Sequence, residues 1–114
     1  MKKLATIVLI FMSVLCVGQE KKKETNTVSF KVYGVCEQCK RRIENAADIK
    51  GVKFAEWDEN TGMLKVTFRV DKVSEAQIKE AILKSGHDVE DQKAPEAAYK
   101  KLPDCCKYRE INKK

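Results

Sequence analysis

"VSFKVYGVCEQCKRRIENAA", residues 28–47, changes its period half-way along. Val28, Phe30 and Val32 alternate with Ser29, Lys31 and Tyr33, the period of a strand with one buried face. Gly34 ends that strand. Beyond two cysteines, Cys39, Ile43, Ala46 and Ala47 recur at helical spacing, with Lys40, Arg41, Arg42, Glu44 and Asn45 between them. This predicts an amphipathic helix of about three turns, with Gly51 as its stop signal. The stretch is a strand, a short loop carrying Cys36-x-x-Cys39, and a helix.

Downstream, Val52 to Trp57 predicts a second strand of uneven phase. Val52 and Phe54 alternate, but Ala55 and Trp57 continue on the other face, so the pattern leaves open which set is inside. Asp58 to Gly62 is a hairpin turn. Leu64, Val66, Phe68 and Val70 against Lys65, Thr67 and Arg69 give the clearest strand of the chain. Ser74 with Gln77 is a capping box, and the helix it opens places Ile78, Ala81 and Ile82 on one face. Gly86 stands where a left-handed cap is wanted. His87 to Glu90 is a short fourth strand. With right-handed crossovers, this order gives an α+β, ferredoxin-like βαββαβ sandwich: a four-stranded antiparallel sheet with both helices on one face.

After Asp91 the pattern changes. Pro95 to Leu102 predicts a short helix, with Pro95 at its first position and Pro103 stopping it. "LPDCCKYRE" follows, and Tyr99, Leu102 and Tyr108 are the apolar points that would dock this tail on the rest. The expected organisation is a leader over 19–26, a module over 27–90 and a C-terminal extension over 91–114 that carries the vicinal pair Cys105-Cys106.

Upstream, Lys2 and Lys3 precede an almost continuously apolar run from Leu4 to Val17. The run is too short to span a bilayer comfortably, which takes about 20 residues. It suits the core of a secretory signal peptide over residues 1–18, with Cys16 and Gly18 as small residues at the cleavage site. An uncleaved anchor and a lipidated Cys16 are the competing readings, the latter opposed by Leu15 in front of it. Cleavage takes the formal net charge from +6 to +4. The expected product is exported, periplasmic and without stable membrane insertion. Its charges are mixed along the chain with no aromatic-rich basic surface, which argues against nucleic acid as a partner. There is no Ser-His-Asp set, phosphate loop or arranged carboxylate pair, so no enzymatic turnover is expected.

The chain has five cysteines. Cys16 leaves with the signal peptide, and Cys36, Cys39, Cys105 and Cys106 remain. An even number in an exported protein ordinarily points to disulfides. Two local pairs, however, look more like reactive or metal-binding thiols than a framework. Cys36 lies at the mouth of the first helix and Cys39 in its first turn, where unpaired N–H groups and the dipole favour an anion. Lys40, Arg41 and Arg42 add positive charge, so lowered thiol pKa values are expected. Two intervening residues let both sulfurs face one point. That suits near-linear coordination of Cu(I) or Hg(II), or half of a tetrahedral Zn(II) or Cd(II) site. The same spacing occurs in thioredoxin-like oxidoreductases. Those have a larger scaffold and usually an aromatic before the first cysteine, where this chain has Val35.

Residues 27–90 resemble the heavy-metal-associated domain, the ferredoxin-like module of copper chaperones, metal-transporting ATPase tails and periplasmic mercury-binding proteins. The resemblance rests on Val32-Tyr33-Gly34, Cys36-x-x-Cys39, Ile43-Glu44, Gly51-Val52, Thr61-Gly62 and Lys84-Ser85-Gly86. It implies that Cys36 and Cys39 hold a metal ion, Cu(I) first, with Hg(II), Zn(II) or Cd(II) as alternatives. It also implies a metal transporter or another metal-binding domain as partner. The chain departs from the family at the loop, usually Gly-Met-Thr-Cys-x-x-Cys. Gly34-Val35-Cys36 is one residue shorter and lacks the methionine, which puts loop packing and metal preference in doubt. His87 stands where the family often has tyrosine. It is either a third ligand or pH-sensitive neighbour of the thiolates, or an exposed histidine at a strand start. Cys105 and Cys106 would add one or two sulfurs if the tail folds back, shifting preference toward zinc or cadmium. Their alternatives are a vicinal disulfide, a disulfide to the module, or pairing with another chain. The expected function is carriage or sequestration of a soft metal ion. The alternative is a thiol-disulfide redox protein using Cys36 and Cys39.

Overall fold

A computed structural model describes residues 24–111. The expected signal peptide, most of the leader and the last three residues lie outside the described residues. Three alternating stretches form an antiparallel sheet in the order β1-β3-β2: β1 (Thr25–Lys31), β2 (Val52–Trp57) and β3 (Met63–Arg69). The clearest strand in the sequence is the central one, with Leu64, Val66 and Phe68 buried. β1 lies beside it with Phe30 opposite Leu64 and Val28 opposite Val66. It begins earlier than its apolar alternation does. Thr25 and Asn26, expected in the leader, pair with Arg69 and Phe68. Exposed polar side chains are compatible with backbone pairing here, and the Thr27 and Thr67 hydroxyls lie 2.9 Å apart across the ladder.

The uneven phase of β2 is a β-bulge. Val52 faces Phe68 and Phe54 faces Thr67, so the register shifts at Lys53. The extra residue turns the following side chains over. Phe54 is left about half exposed while Trp57 is buried. The Trp57 indole N–H donates to the carbonyls of Val32 and Gly62 at 3.0 and 3.1 Å, tying the end of β1 to the hairpin turn.

Two amphipathic helices pack on the sheet. α1 (Glu37–Ala47) buries Cys39, Ile43 and Ala47. α2 (Glu75–Lys84) buries Ile78 and Ile82, and the expected capping box is present, Ser74 accepting from the Gln77 N–H while Gln77 accepts in return. Gly86 has φ +106°, and a Cβ there would lie 2.9 Å from the Ala98 carbonyl. The site therefore needs glycine both for the turn and for the approach of the tail.

The sheet has three strands among the described residues, not the expected four. The segment after α2 does reach the free edge of β1, but only Val89 pairs, as a bridge to Val32. Two backbone bonds hold it there, Tyr33 N–H to Asp88 and Glu90 N–H to Lys31, each at 3.0 Å. A tight turn cuts the ladder short. Val89 bridges back to Gln92, and Glu90 adopts φ +52°. The chain must reverse here because the extension returns across the module.

That extension is ordered, in short pieces: α3 (Glu96–Lys100), a 3-10 turn (Asp104–Cys106) and α4 (Tyr108–Ile111). Tyr99, Leu102, Cys106 and Tyr108 are buried and belong to the same apolar core as the helices and the sheet. Tyr108 makes the central attachment, its hydroxyl donating to the Gly86 carbonyl at 2.8 Å and accepting from the Asp88 N–H at 2.9 Å. Arg109 adds an ion pair to Asp88 at 2.8 Å. Replacing Tyr108 by phenylalanine leaves two buried backbone groups without this partner, so Tyr108→Phe should lower the unfolding free energy by about 1–3 kcal/mol. Urea titration of the reduced protein checks this, and an unchanged midpoint would show that the hydroxyl does not clamp the tail.

Candidate metal centre

The loop before α1 is tight. A Cβ on Gly34 would meet Cys39 Cβ at 3.0 Å, Ile43 Cδ1 at 3.2 Å and the Trp57 ring at 3.2 Å. The loop therefore lies directly on the first turn of α1 and on Trp57, without a methionine buttress. Cys36 is the N-cap residue of α1, with extended backbone and no side-chain cap bond. Its sulfur is free to turn along the helix toward Cys39. The two sulfurs lie 3.5 Å apart.

The two thiols have different surroundings. Cys39 is fully buried in the core, and its sulfur accepts from the Val35 N–H at 3.4 Å. Burial pushes its pKa up despite that bond. Cys36 is half-buried. Burial also works against its ionisation, but the hydrogen bonds it receives from the backbone of Cys39 and Gln38 and from the Cys39 thiol outweigh it and hold its pKa below the ordinary value. The expected lowering thus falls on one thiol of the pair. The adjacent cations contribute less than their proximity in sequence promised. Lys40 is engaged by Glu44 at 2.7 Å and by the Trp57 carbonyl at 3.0 Å.

The extension reaches this loop. Cys106 is buried, and the sulfurs of Cys36, Cys39 and Cys106 all lie within 4.8 Å of one another. Three sulfurs converging on one point form a donor set for a soft or borderline ion. Cys105 lies at the edge of this group, its sulfur 4.0 Å from that of Cys106. It is exposed, its thiol directed to Gln38 Oε1 at 3.2 Å, while its carbonyl accepts from the Cys36 thiol at 3.4 Å. The four cysteines among the described residues are free thiols, with no disulfide between tail and module. The roles of Gln38 and of the Cys105 carbonyl carried no sequence signal, since each depends on where the tail lands.

His87 is neither an exposed strand-start residue nor part of the sulfur group. It is completely buried, stacked on Tyr108 with ring centroids 5.4 Å apart. Its Nδ1 lies 2.7 Å from the Tyr33 carbonyl. A carbonyl only accepts, so Nδ1 carries the proton. Nε2 is buried without a hydrogen-bond partner among the described residues.

Comparison with known proteins agrees with this geometry. The family described as the heavy-metal-associated domain matches residues 29–88. A copper chaperone, CopZ of Staphylococcus saprophyticus, is 38% identical over 65 residues, which is 55% of this chain and 96% of that protein. Oxidized MerP from Ralstonia metallidurans superposes with a TM-score of 0.55 at 26% identity, over 59% of this chain and 96% of MerP. A copper-binding domain from HMA7, a P-type ATPase, gives 0.54 at 29% identity, over 56% of this chain and 89% of that domain.

The surroundings of His87 set a pH dependence. Burial lowers its pKa and the nearby Arg42 charge adds to this, while the Tyr33 carbonyl opposes them. Unfolded, the ring ionises near 6.5. The stability contributed by neutral His87 is therefore complete above that value and is lost as pH falls toward the lower folded value. Metal-free protein should lose stability as pH falls through and below about 6.5, and His87→Gln should flatten that slope. Denaturant unfolding of both proteins across this range checks it, and parallel slopes would assign the titration to another group.

Proposed function

Since this chain belongs to the heavy-metal-associated domain family, we propose that it is an exported carrier of a soft metal ion, with Cys36 and Cys39 as ligands and Cu(I) as cargo. The observation that carries this reading is the pair of free sulfurs 3.5 Å apart at the start of α1, one buried and one reachable from solvent. Thiolates favour soft and borderline ions such as Cu(I) and zinc, and two of them satisfy the low coordination number of Cu(I). Hg(II) fits the same pair, whereas a tetrahedral Zn(II) or Cd(II) site takes four donors, one more than the three sulfurs gathered here. The copper chaperone and the copper-binding ATPase domain among the similar proteins support copper, and the second supports a transporter domain as partner.

Carriage follows from the inequality of the two thiols. An incoming partner thiolate attacks the bound ion, and Cys36, being more accessible, releases first. Cys39 keeps hold until a second partner sulfur has entered. The ion changes ligands stepwise and is never free, and no bond other than metal–sulfur is made or broken. The protein transfers or sequesters its cargo and catalyses no reaction. Export rests on the apolar run of residues 4–17 and its cleavage site. Among the described residues no helix is long and apolar enough to cross a membrane.

Two experiments test this. Reduced protein should take up one equivalent of Cu(I) against a competing chelator, and Cys36→Ser/Cys39→Ser should weaken binding by at least about tenfold, or 1.4 kcal/mol. Wild-type affinity no better than that of a short cysteine peptide would sink the reading, and rapid reduction of insulin without metal uptake would favour redox chemistry. For export, the chain recovered from the cell envelope should begin at Gln19. An intact Met1 on cytoplasmic protein would refute that part.

A further inference from the structure

We propose that Cys106 is the third ligand of a trigonal three-thiolate site, so that the C-terminal extension supplies sulfur to the ion held by Cys36 and Cys39. This deepens the carrier reading and rests on it.

Three sulfurs, rather than two, stand around one point. With metal–sulfur bonds of about 2.3 Å, a trigonal site separates its sulfurs by about 4.0 Å. Cys36 and Cys39 stand 3.5 Å apart and the Cys106 sulfur lies within 4.8 Å of both, a spread that spans that separation. Small side-chain rotations bring all three to one ion.

The third sulfur is placed by the fold rather than by chance approach of a loose tail. Pro103 starts the 3-10 turn, and its carbonyl accepts from the Cys106 N–H at 2.8 Å. Two residues later Tyr108 is bound to Gly86 and Asp88. Cys106 is thus fixed from both sides, and its side chain is fully buried although it lies outside the segment that matches the family. Its neighbour Cys105 is exposed and turned toward Gln38. The Cys105 sulfur lies 4.0 Å from that of Cys106, but of the vicinal pair it is Cys106 that converges with Cys36 and Cys39.

The chemistry balances without a redox partner. Each thiol that enters the coordination sphere gives its proton to solvent and its electron pair to the metal. The consequence for function is retention. A third protein sulfur fills the position that an incoming partner thiolate would otherwise take, so release requires the extension to yield first. In Cys106→Ala the ion should be both less tightly bound and more quickly surrendered.

The test uses X-ray absorption of the reduced, full protein carrying one equivalent of Cu(I). Wild type and Cys105→Ser should each show three sulfurs. Cys106→Ala should still bind one Cu(I), with two sulfurs, an affinity lower by at least about tenfold, and faster loss to a competing chelator. Circular dichroism establishes that the variant is folded, and the wild-type coordination number decides the matter even if it is not. Two sulfurs in folded wild type would overturn the inference while leaving the carrier reading intact. Loss of a sulfur in Cys105→Ser would overturn the assignment to Cys106. Absence of Cu(I) uptake by wild type, or uptake insensitive to Cys36→Ser/Cys39→Ser, would overturn the carrier reading itself and this inference with it.

Discussion

The phenol of Tyr108 spans two backbone groups that the shortened sheet edge leaves over, the Gly86 carbonyl at the end of α2 and the Asp88 N–H beside β1. Much else hangs on that bridge. The Tyr108 ring stacks on His87 and meets Tyr99 edge-on at 5.2 Å, so one ring joins the sheet edge to α3. Such aromatic pairs contribute about 0.5–1.5 kcal/mol beyond their buried area. Arg109, the next residue, reaches Asp88. Burial alone would raise the Asp88 pKa, but the guanidinium and the Ala94 N–H more than offset it and keep the carboxylate ionised. Because Cys106 lies two residues before Tyr108, the position of its sulfur follows from the position of this ring.

A second constraint acts at the other end of the site. Gly34 has no side chain because Cys39, Ile43 and Trp57 occupy the space where one would stand. This close approach sets the loop on the helix and leaves Cys39 in the core. The same packing leaves Cys36 at the helix mouth, where the hydrogen bonds it receives hold its pKa below the ordinary value. One compact contact therefore makes two chemically different thiols from one short motif. In the proposed carrier the buried sulfur would anchor the ion and the accessible one would exchange.

The sequence was most readable where periodicity was strict. β3 alternates without a break, α1 keeps its apolar spacing through Cys39, Ile43 and Ala47, and the Ser74–Gln77 cap declares the start of α2. It was least readable where backbone geometry or long-range docking decides. The bulge at Lys53 scrambles the alternation of β2, and no side-chain identity announces it. His87 to Glu90 has strand composition, but the return of the extension turns the chain at Glu90 and leaves a bridge where a strand was expected. The paired spacing of Cys36 and Cys39 was legible as chemistry. The convergence of Cys106 was legible only as a condition, that the tail would add sulfur if it folded back on Tyr99, Leu102 and Tyr108; which of the two adjacent cysteines faces the pair depends on the tertiary docking itself. His87 misled for the same reason, since the surface position implied by its place after Gly86 is covered by the tail.

The short elements of the extension bear on how a covered site exchanges its cargo. α3 and α4 have five and four residues, and isolated helices of that length do not persist in water, where about 12–15 residues are marginal. Their order comes from docking, through buried Tyr99, Leu102, Cys106 and Tyr108, the Tyr108 hydroxyl bridge and the Arg109–Asp88 ion pair. Segments held in that way open locally without unfolding the rest. Cys36 and Cys39, by contrast, belong to a three-turn helix packed on the sheet. Opening of the extension would carry Cys106 away and leave the other pair in place. On the proposed three-sulfur site, the chain would divide its sulfurs between a module that keeps the ion and an extension that controls access to it. The Tyr108 clamp that positions the tail would then also set the ease with which the ion leaves.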